Sequence, residues 1–109
     1  MPLVYRGVYR ARDERDNAEW LATLDEAADR LDLGDEARSR ARDVFLSGVP
    51  DSERSKRATL AAALYVGALV AGEQRSQGAV ADAAGVSRLS VQQHWKDLLE
   101  ATGLESPDW

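Results

Sequence analysis

Apolar side chains along this chain recur mostly at helical intervals. Trp20, Leu24, Ala27, Ala28 and Leu31 fall on one face, with Asn17 placed to cap the helix they define. A second stripe runs Ala37, Ala41, Val44, Phe45, Gly48. It begins after Gly34, with Asp35 and Glu36 in the first turn, where the helix dipole favours negative charge, and it stops before Pro50. The stretch from Ala58 to Gly72 is apolar on all sides and rich in alanine, the pattern of a helix enclosed by others, with Ser52 and Ser55 as candidate caps ahead of it and Gly72 as its stop. Two short helices follow, Ser76 to Ala84 and Ser87 to about Thr102, with Gly103 as terminator. Only Leu3 to Tyr9 carries β-branched and aromatic content outside this scheme, as either a short strand or an extended arm. The pattern predicts an all-α fold of five helices around the alanine-rich one.

Composition narrows the chemistry. With 109 residues there is room for one core. The absence of Cys removes disulfide frameworks, thiolate zinc sites, iron–sulfur clusters and cysteine nucleophiles, and the single His94 excludes a multi-histidine metal site. There is no glycine-rich phosphate loop, no serine nucleophile elbow and no acid–base couple, so neither an enzyme nor a cofactor is expected. The alanine-rich run falls short of the roughly 20 residues that cross a bilayer. Met1 leads straight into polar sequence with no leader pattern, and a cytoplasmic protein is expected.

Charge is unevenly placed. Net charge is −5, from 14 Lys plus Arg against 19 Asp plus Glu. Residues 17–53 hold most of the acidic excess, while 54–109 balance, so the second half is the better place to meet an anion. Only Lys56 and Lys96 among the cations are lysines, and an acidic, lysine-poor, alanine-rich chain suits concentrated salt; a biased genome yields the same counts. Pairs such as Asp25 and Asp29 or Glu26 and Arg30 sit at helical spacing and read as a solvated face with i,i+4 pairing.

The most specific segment is Gln77 to Lys96. A helix-turn-helix requires a small residue where two helices cross, a glycine at the turn and a branched apolar residue pointing inward from the second helix. Ala81, Gly85 and Val91 meet those demands at the required spacing, with Val80, Ala84 and Val86 around them and Ser87 as cap. An ordinary helical hairpin satisfies the same spacing. If the second helix starts at Ser87, then Val91, Trp95, Leu98 and Leu99 face inward, and Arg88, Leu89, Gln92, Gln93 and Lys96 face out. Arg grips guanine and Gln grips adenine through paired hydrogen bonds, and an exposed Leu meets a thymine methyl group. Ser87, Ser90 and Lys96 would hold phosphates. The competing reading is a solvated helix face, because residues 76–98 carry no net charge.

These words resemble a known family, the cyclin-like repeat of transcription factor B, the archaeal counterpart of the eukaryotic general initiation factor. The resemblance rests on Ala61-Ala62-Ala63-Leu64-Tyr65, Ser76-Gln77, Val80-Ala81-Asp82-Ala83-Ala84-Gly85-Val86-Ser87, Ser90-Val91 and Trp95-Lys96-Asp97-Leu98-Leu99-Glu100, and extends weakly over Trp20 to Val49. It implies a five-helix cyclin-like domain over 17–104, most like the second repeat of that factor, whose last two helices form a helix-turn-helix that contacts promoter DNA. The helix-turn-helix would lie at 76–102, preceded by an arm (1–16) and followed by a tail (105–109). The chain departs from that factor in lacking the cysteine-rich zinc ribbon and in having room for one repeat only. Gln92, Gln93 and His94 stand where basic and Asn side chains are usual, and Trp95 where Tyr is.

Two functions follow as expectations. One is a small transcription regulator that binds double-stranded promoter DNA through Arg88, Leu89, Gln92 and Gln93, helped by Ser87, Ser90 and Lys96. The other is an interaction module for the basal machinery, meaning polymerase, TATA-binding protein or transcription factor B, with Leu89, Trp109 or the acidic first helices as its surface. Arg54, Lys56 and Arg57, ahead of the central helix, are either phosphate contacts or a solvated loop. Tyr5, Arg6, Tyr9, Arg10, Arg12 and Arg15 of the arm either follow a phosphate backbone or fold onto the domain.

Overall fold

The computed structural model describes residues 17–47 and 53–101, with the side chains of 53, 54 and 101 left out. The expectations for the arm, Gly48, Pro50, Ser52, Thr102, Gly103 and the tail, including Trp109, lie outside the described residues. Five helices occur in the order α1 (Ala18–Arg30), α2 (Asp35–Ser47), α3 (Glu53–Val70), α4 (Gln77–Ala84) and α5 (Arg88–Ala101). No strand is present among the described residues.

The alanine-rich α3 is the centre, as its apolar pattern predicts. From Leu60 to Val66 every residue is buried, and Ala68 and Leu69 continue the core. Small side chains let α2 come close: a Cβ placed on Gly67 would meet the Ala41 nitrogen at 2.6 Å and the Ala37 carbonyl oxygen at 2.8 Å. Glycine is therefore required at this crossing by backbone contact. The expected stripes of α1 and α2 are inward: Leu24, Ala27, Ala28 and Leu31 are buried, as are Ala37, Ala41, Val44 and Phe45, while Trp20 packs at the margin.

Three helices end in the same way. Gly72 and Gly85 adopt left-handed φ of 78° and 73°, and Asp32 does so at 54°. In each case the next residue's N–H reaches back five residues along the helix: Leu33 to Ala28, Glu73 to Ala68 and Val86 to Ala81, at 2.8 to 3.0 Å. This is the Schellman arrangement, which satisfies terminal carbonyls. The sequence marks the two glycines but not Asp32, because an aspartate in this role carries no local signal beyond its tolerance of the left-handed region.

Arg75 and Glu73 lock the α3–α4 connection onto the α1–α2 connection. Arg75 donates from Nε to the Leu31 carbonyl at 2.9 Å and from Nη2 to the Asp32 carbonyl at 3.2 Å. Glu73 Oε1 accepts from the Gly34 N–H at 3.0 Å, placing a carboxylate at the start of α2, where the dipole favours it.

Several local expectations need correction. Asn17 precedes α1, but its side chain makes no cap hydrogen bond; its backbone, with φ −113° and ψ 22°, is not in the extended form that aims a cap side chain at the first turn. Ser55 is the third residue of α3 and so is not its cap. Asp25 and Asp29 of α1 pair across helices instead of along one. Arg42 reaches Asp25 at 2.8 Å and Arg38 reaches Asp29 at 2.7 Å, whereas Arg30 turns to a main-chain carbonyl of α4. The long arginine side chains of α2 lie beside α1, which makes the cross-helix partner the nearer one.

Candidate nucleic-acid interface

The α4–α5 pair is built as the small–glycine–branched spacing requires. Ser76 caps α4, its Oγ accepting from the Ala79 N–H at 3.0 Å. Ala81 and Val91 are buried, and Gly85 makes the turn in the left-handed conformation. Ser87 then caps α5, its Oγ accepting from the Ser90 N–H at 3.1 Å. Two independent helices joined at Gly85 result.

All four carbonyls at the end of α4 find donors. Those of Ala81 and Asp82 accept from Val86 and Gly85. The Ala83 carbonyl accepts from Arg30 Nη1 of α1 at 2.9 Å, and the Ala84 carbonyl from Arg57 Nη1 of α3 at 3.3 Å. The Arg57 guanidinium also lies over the Trp20 ring, 5.6 Å from its centroid. Thus the turn is tied to both α1 and α3. Neither Arg30 nor Arg57 shows this task in the sequence, since a guanidinium bound to a distant carbonyl leaves no spacing signal.

One face of α5 is fixed in the core. Val91, Trp95 and Leu99 are buried and Leu98 is half-buried, with Trp95 meeting Tyr65 of α3 edge to face at 5.2 Å. The opposite face is open: Arg88, Leu89, Gln92, Gln93 and Lys96 are exposed, Leu89 at 57% being the exposed large hydrophobic side chain of the described residues. Ser87 is exposed and Ser90 half-buried, their hydroxyls 3.2 Å apart. Lys96 lies near the Trp95 ring at 5.7 Å. His94 is exposed, with Nδ1 at 2.7 Å from the Ser90 carbonyl oxygen one turn back.

A depression flanks α5 on each side. One, of about 780 Å³, lies among Trp20, Ser55, Arg57, Ser87, Ser90 and His94. The other, of about 450 Å³, lies among Ser76, Gln77, Gly78, Arg88 and Gln92. The three cations expected ahead of α3 lie within it instead, because the helix begins at Glu53: Arg57 lines the first depression and Lys56 is half-buried, while the Arg54 side chain lies outside the described residues. Trp20, Ser55, Ser76 and Gln77 were not among the expected site residues; each joins the site through another helix. No group of three or more His, Cys, Asp or Glu that would hold a metal occurs among the described residues.

Comparison with known proteins accounts for this architecture. A family model described as the transcription factor TFIIB repeat matches residues 18–101. The chain belongs to the TFIIB repeat family. It is 35% identical over 83 residues to a transcription initiation factor IIB of Pyrococcus abyssi, covering 73% of this chain and 28% of that protein. Transcription initiation factor IIB 1 of Thermococcus kodakarensis gives the same identity and coverage, and the Archaeoglobus fulgidus factor is 41% identical over 54 residues, covering 50% of this chain and 17% of its own. This TFIIB repeat thus spans less than a third of the length of these relatives. The all-α, cyclin-like class expected from the sequence is the class of this family.

Proposed function

We propose that this TFIIB repeat is a small transcription regulator that binds double-stranded DNA by laying the N-terminal half of α5 in the major groove. The observation that carries the reading is the division of α5. Val91, Trp95 and Leu99 hold its inner face, while Gln92, Gln93, Leu89 and Arg88 are presented outward on a helix whose start is capped and tied down. Those outward side chains are of the types that recognise base edges and the thymine methyl group. The contact stops partway along the helix, because Asp97 and Glu100 are exposed in its second half and would meet phosphate with like charge. Ser87, Ser90 and Lys96 supply register through phosphate contacts.

The test is a titration with duplexes of mixed and selected sequence at several salt concentrations, comparing the wild type with Gln92→Ala/Gln93→Ala. Base reading predicts saturable binding and, in the double variant, a loss of about 1 to 3 kcal/mol confined to preferred sequences for each paired contact removed. No saturable binding at any salt rejects the reading.

The exposed Leu89 supports a second reading, in which the same face meets a protein of the basal transcription machinery, such as polymerase, TATA-binding protein or transcription factor B. Leu89→Asp would then abolish capture of that partner while Gln92→Ala/Gln93→Ala leaves it intact.

A further inference from the structure

The larger depression beside α5, of about 780 Å³, falls within the range of roughly 300 to 1,000 Å³ usual for small-molecule sites. Three helices wall it: Trp20 comes from α1, Arg57 and Ala58 from α3, and Ser90, Gln93 and His94 from α5. Among the described residues no Asp or Glu borders it, on a chain with 19 acidic residues against 14 basic ones.

Part of this wall donates hydrogen bonds. The Arg57 guanidinium gives one N–H to the Ala84 carbonyl and lies over the Trp20 ring. No carboxylate of the described residues pairs with it, so its remaining N–H groups are open to a ligand. The two contacts hold the guanidinium in place before any ligand arrives, which lowers the ordering cost of binding. The Ser87 hydroxyl donates to Ser90 Oγ at 3.2 Å, which leaves the hydrogen of the Ser90 hydroxyl unused. The start of α5 adds main-chain N–H groups and the positive end of its dipole. Guanidinium, hydroxyl and helix start border one space, a donor set for an oxyanion with several terminal oxygens.

The rest of the wall asks for more than an anion. Trp20, Ala58 and Val86 are apolar. His94 Nδ1 lies 2.7 Å from the Ser90 carbonyl oxygen, which only accepts, so Nδ1 carries the hydrogen and Nε2 of the neutral ring is an acceptor. Gln93, also exposed, has an amide that both donates and accepts. Acceptors beside apolar surface suit hydroxyl groups on a carbon frame. A bare phosphate would use the donors alone and leave most of the volume to water.

We propose that this depression binds a sugar phosphate, with its phosphate monoester on Arg57, Ser90 and the start of α5 and its hydroxyls on Gln93 and His94. The site goes beyond the reading of DNA by α5 and is tested without DNA. Ser87, Ser90 and Gln93 also belong to the DNA contact proposed above, so a bound sugar phosphate and DNA compete for them.

In the test, the isotopically labelled 109-residue chain is titrated with ribose 5-phosphate and followed by nuclear magnetic resonance. Saturable shifts are expected at the amides of Ser87 to Ser90 and at the Arg57 Nε–H, while buried Ala37 of α2 stays fixed. Ribose, inorganic phosphate and the phosphodiester thymidylyl-thymidine are titrated alongside, each expected to bind more weakly by on the order of tenfold. Arg57→Gln is expected to weaken ribose 5-phosphate binding by on the order of tenfold. Because Arg57 also holds the Ala84 carbonyl, Ser90→Ala is the second variant; it keeps the Ser87 cap and is expected to weaken binding several-fold. Gln93→Ala/His94→Ala is expected to weaken ribose 5-phosphate and leave inorganic phosphate unchanged. Arg40→Gln removes an exposed cation of α2 and is expected to bind as the wild type does.

No saturable shift with ribose 5-phosphate overturns the proposal. Equal binding of inorganic phosphate also overturns it, by making the depression a bare-anion site, and equal binding of the diester does so by making it a seat for nucleic-acid backbone. If Arg40→Gln weakens binding as much as Arg57→Gln and Ser90→Ala do, the attraction is diffuse charge and the site falls.

Discussion

Arg30 of α1 donates a 2.9 Å hydrogen bond to the carbonyl oxygen of Ala83, fifty-three residues away at the end of α4. The carbonyl belongs to the last turn of the first helix of the helix-turn-helix, so a side chain of the opening helix helps set the direction from which α5 departs. Arg57 does the same for the neighbouring Ala84 carbonyl.

Removing Arg30 should therefore loosen the turn before it loosens the core. Arg30→Ala is expected to lower unfolding free energy by about 1 to 2 kcal/mol, as for a partly exposed hydrogen bond from a charged donor. Amide hydrogen exchange at Val86 should rise more than at Leu64, which is fully buried in α3. Equal acceleration at both sites would deny Arg30 a local role.

The glycines of α3 and α4 should respond in opposite directions to alanine. At Gly67 the new methyl group meets the backbone of α2, and Gly67→Ala is expected to destabilise by about 1 to 3 kcal/mol in urea denaturation. At Gly78, inside α4, a Cβ meets nothing within 4 Å, and Gly78→Ala should stabilise by about 0.5 to 1 kcal/mol.

Asp32 holds a left-handed conformation that glycine adopts without strain. Asp32→Gly is expected to raise stability by about 1 kcal/mol, and Gly85→Ala, the reverse exchange at the turn, to lower it by about as much, both read from thermal melts. The Arg75 bond to the Asp32 main-chain carbonyl needs no side chain at that position, so it should survive the first substitution.

These positions also show what sequence conveys and what it hides. The number and order of the helices, the buried run of α3, the glycine stops at 72 and 85 and the open face of α5 were legible, because each follows from a repeat of apolar positions or a residue with special backbone freedom; the polar first turn of α3, from Glu53, was not, because it carries no apolar stripe. The two depressions were not. Trp20, Ser55 and Arg57 come to Ser87 and Ser90 only through packing of three helices, and nothing local to any one of them foretells it. The ion pairs of Asp25 and Asp29 failed for the same reason: helical spacing suggested partners on one helix, and packing of α1 beside α2 supplied nearer ones.

Trp95 joins α5 to the central helix. Trp95→Ala removes a nearly buried ring and its edge-to-face contact with Tyr65, and should cost about 3 to 5 kcal/mol. Fluorescence-detected unfolding will report the loss, and duplex binding should fall with it at temperatures where α5 detaches.

The most direct measurement is a nuclear magnetic resonance titration of the isotopically labelled protein with short DNA duplexes. The account predicts that backbone amides of Ser87 to Gln93 and the side-chain amides of Gln92 and Gln93 shift on addition of DNA, while buried α2 positions such as Ala37 and Ala41 stay fixed. Shifts gathered on the acidic face of α1 and α2, with Gln92 and Gln93 unmoved at saturation, would contradict it.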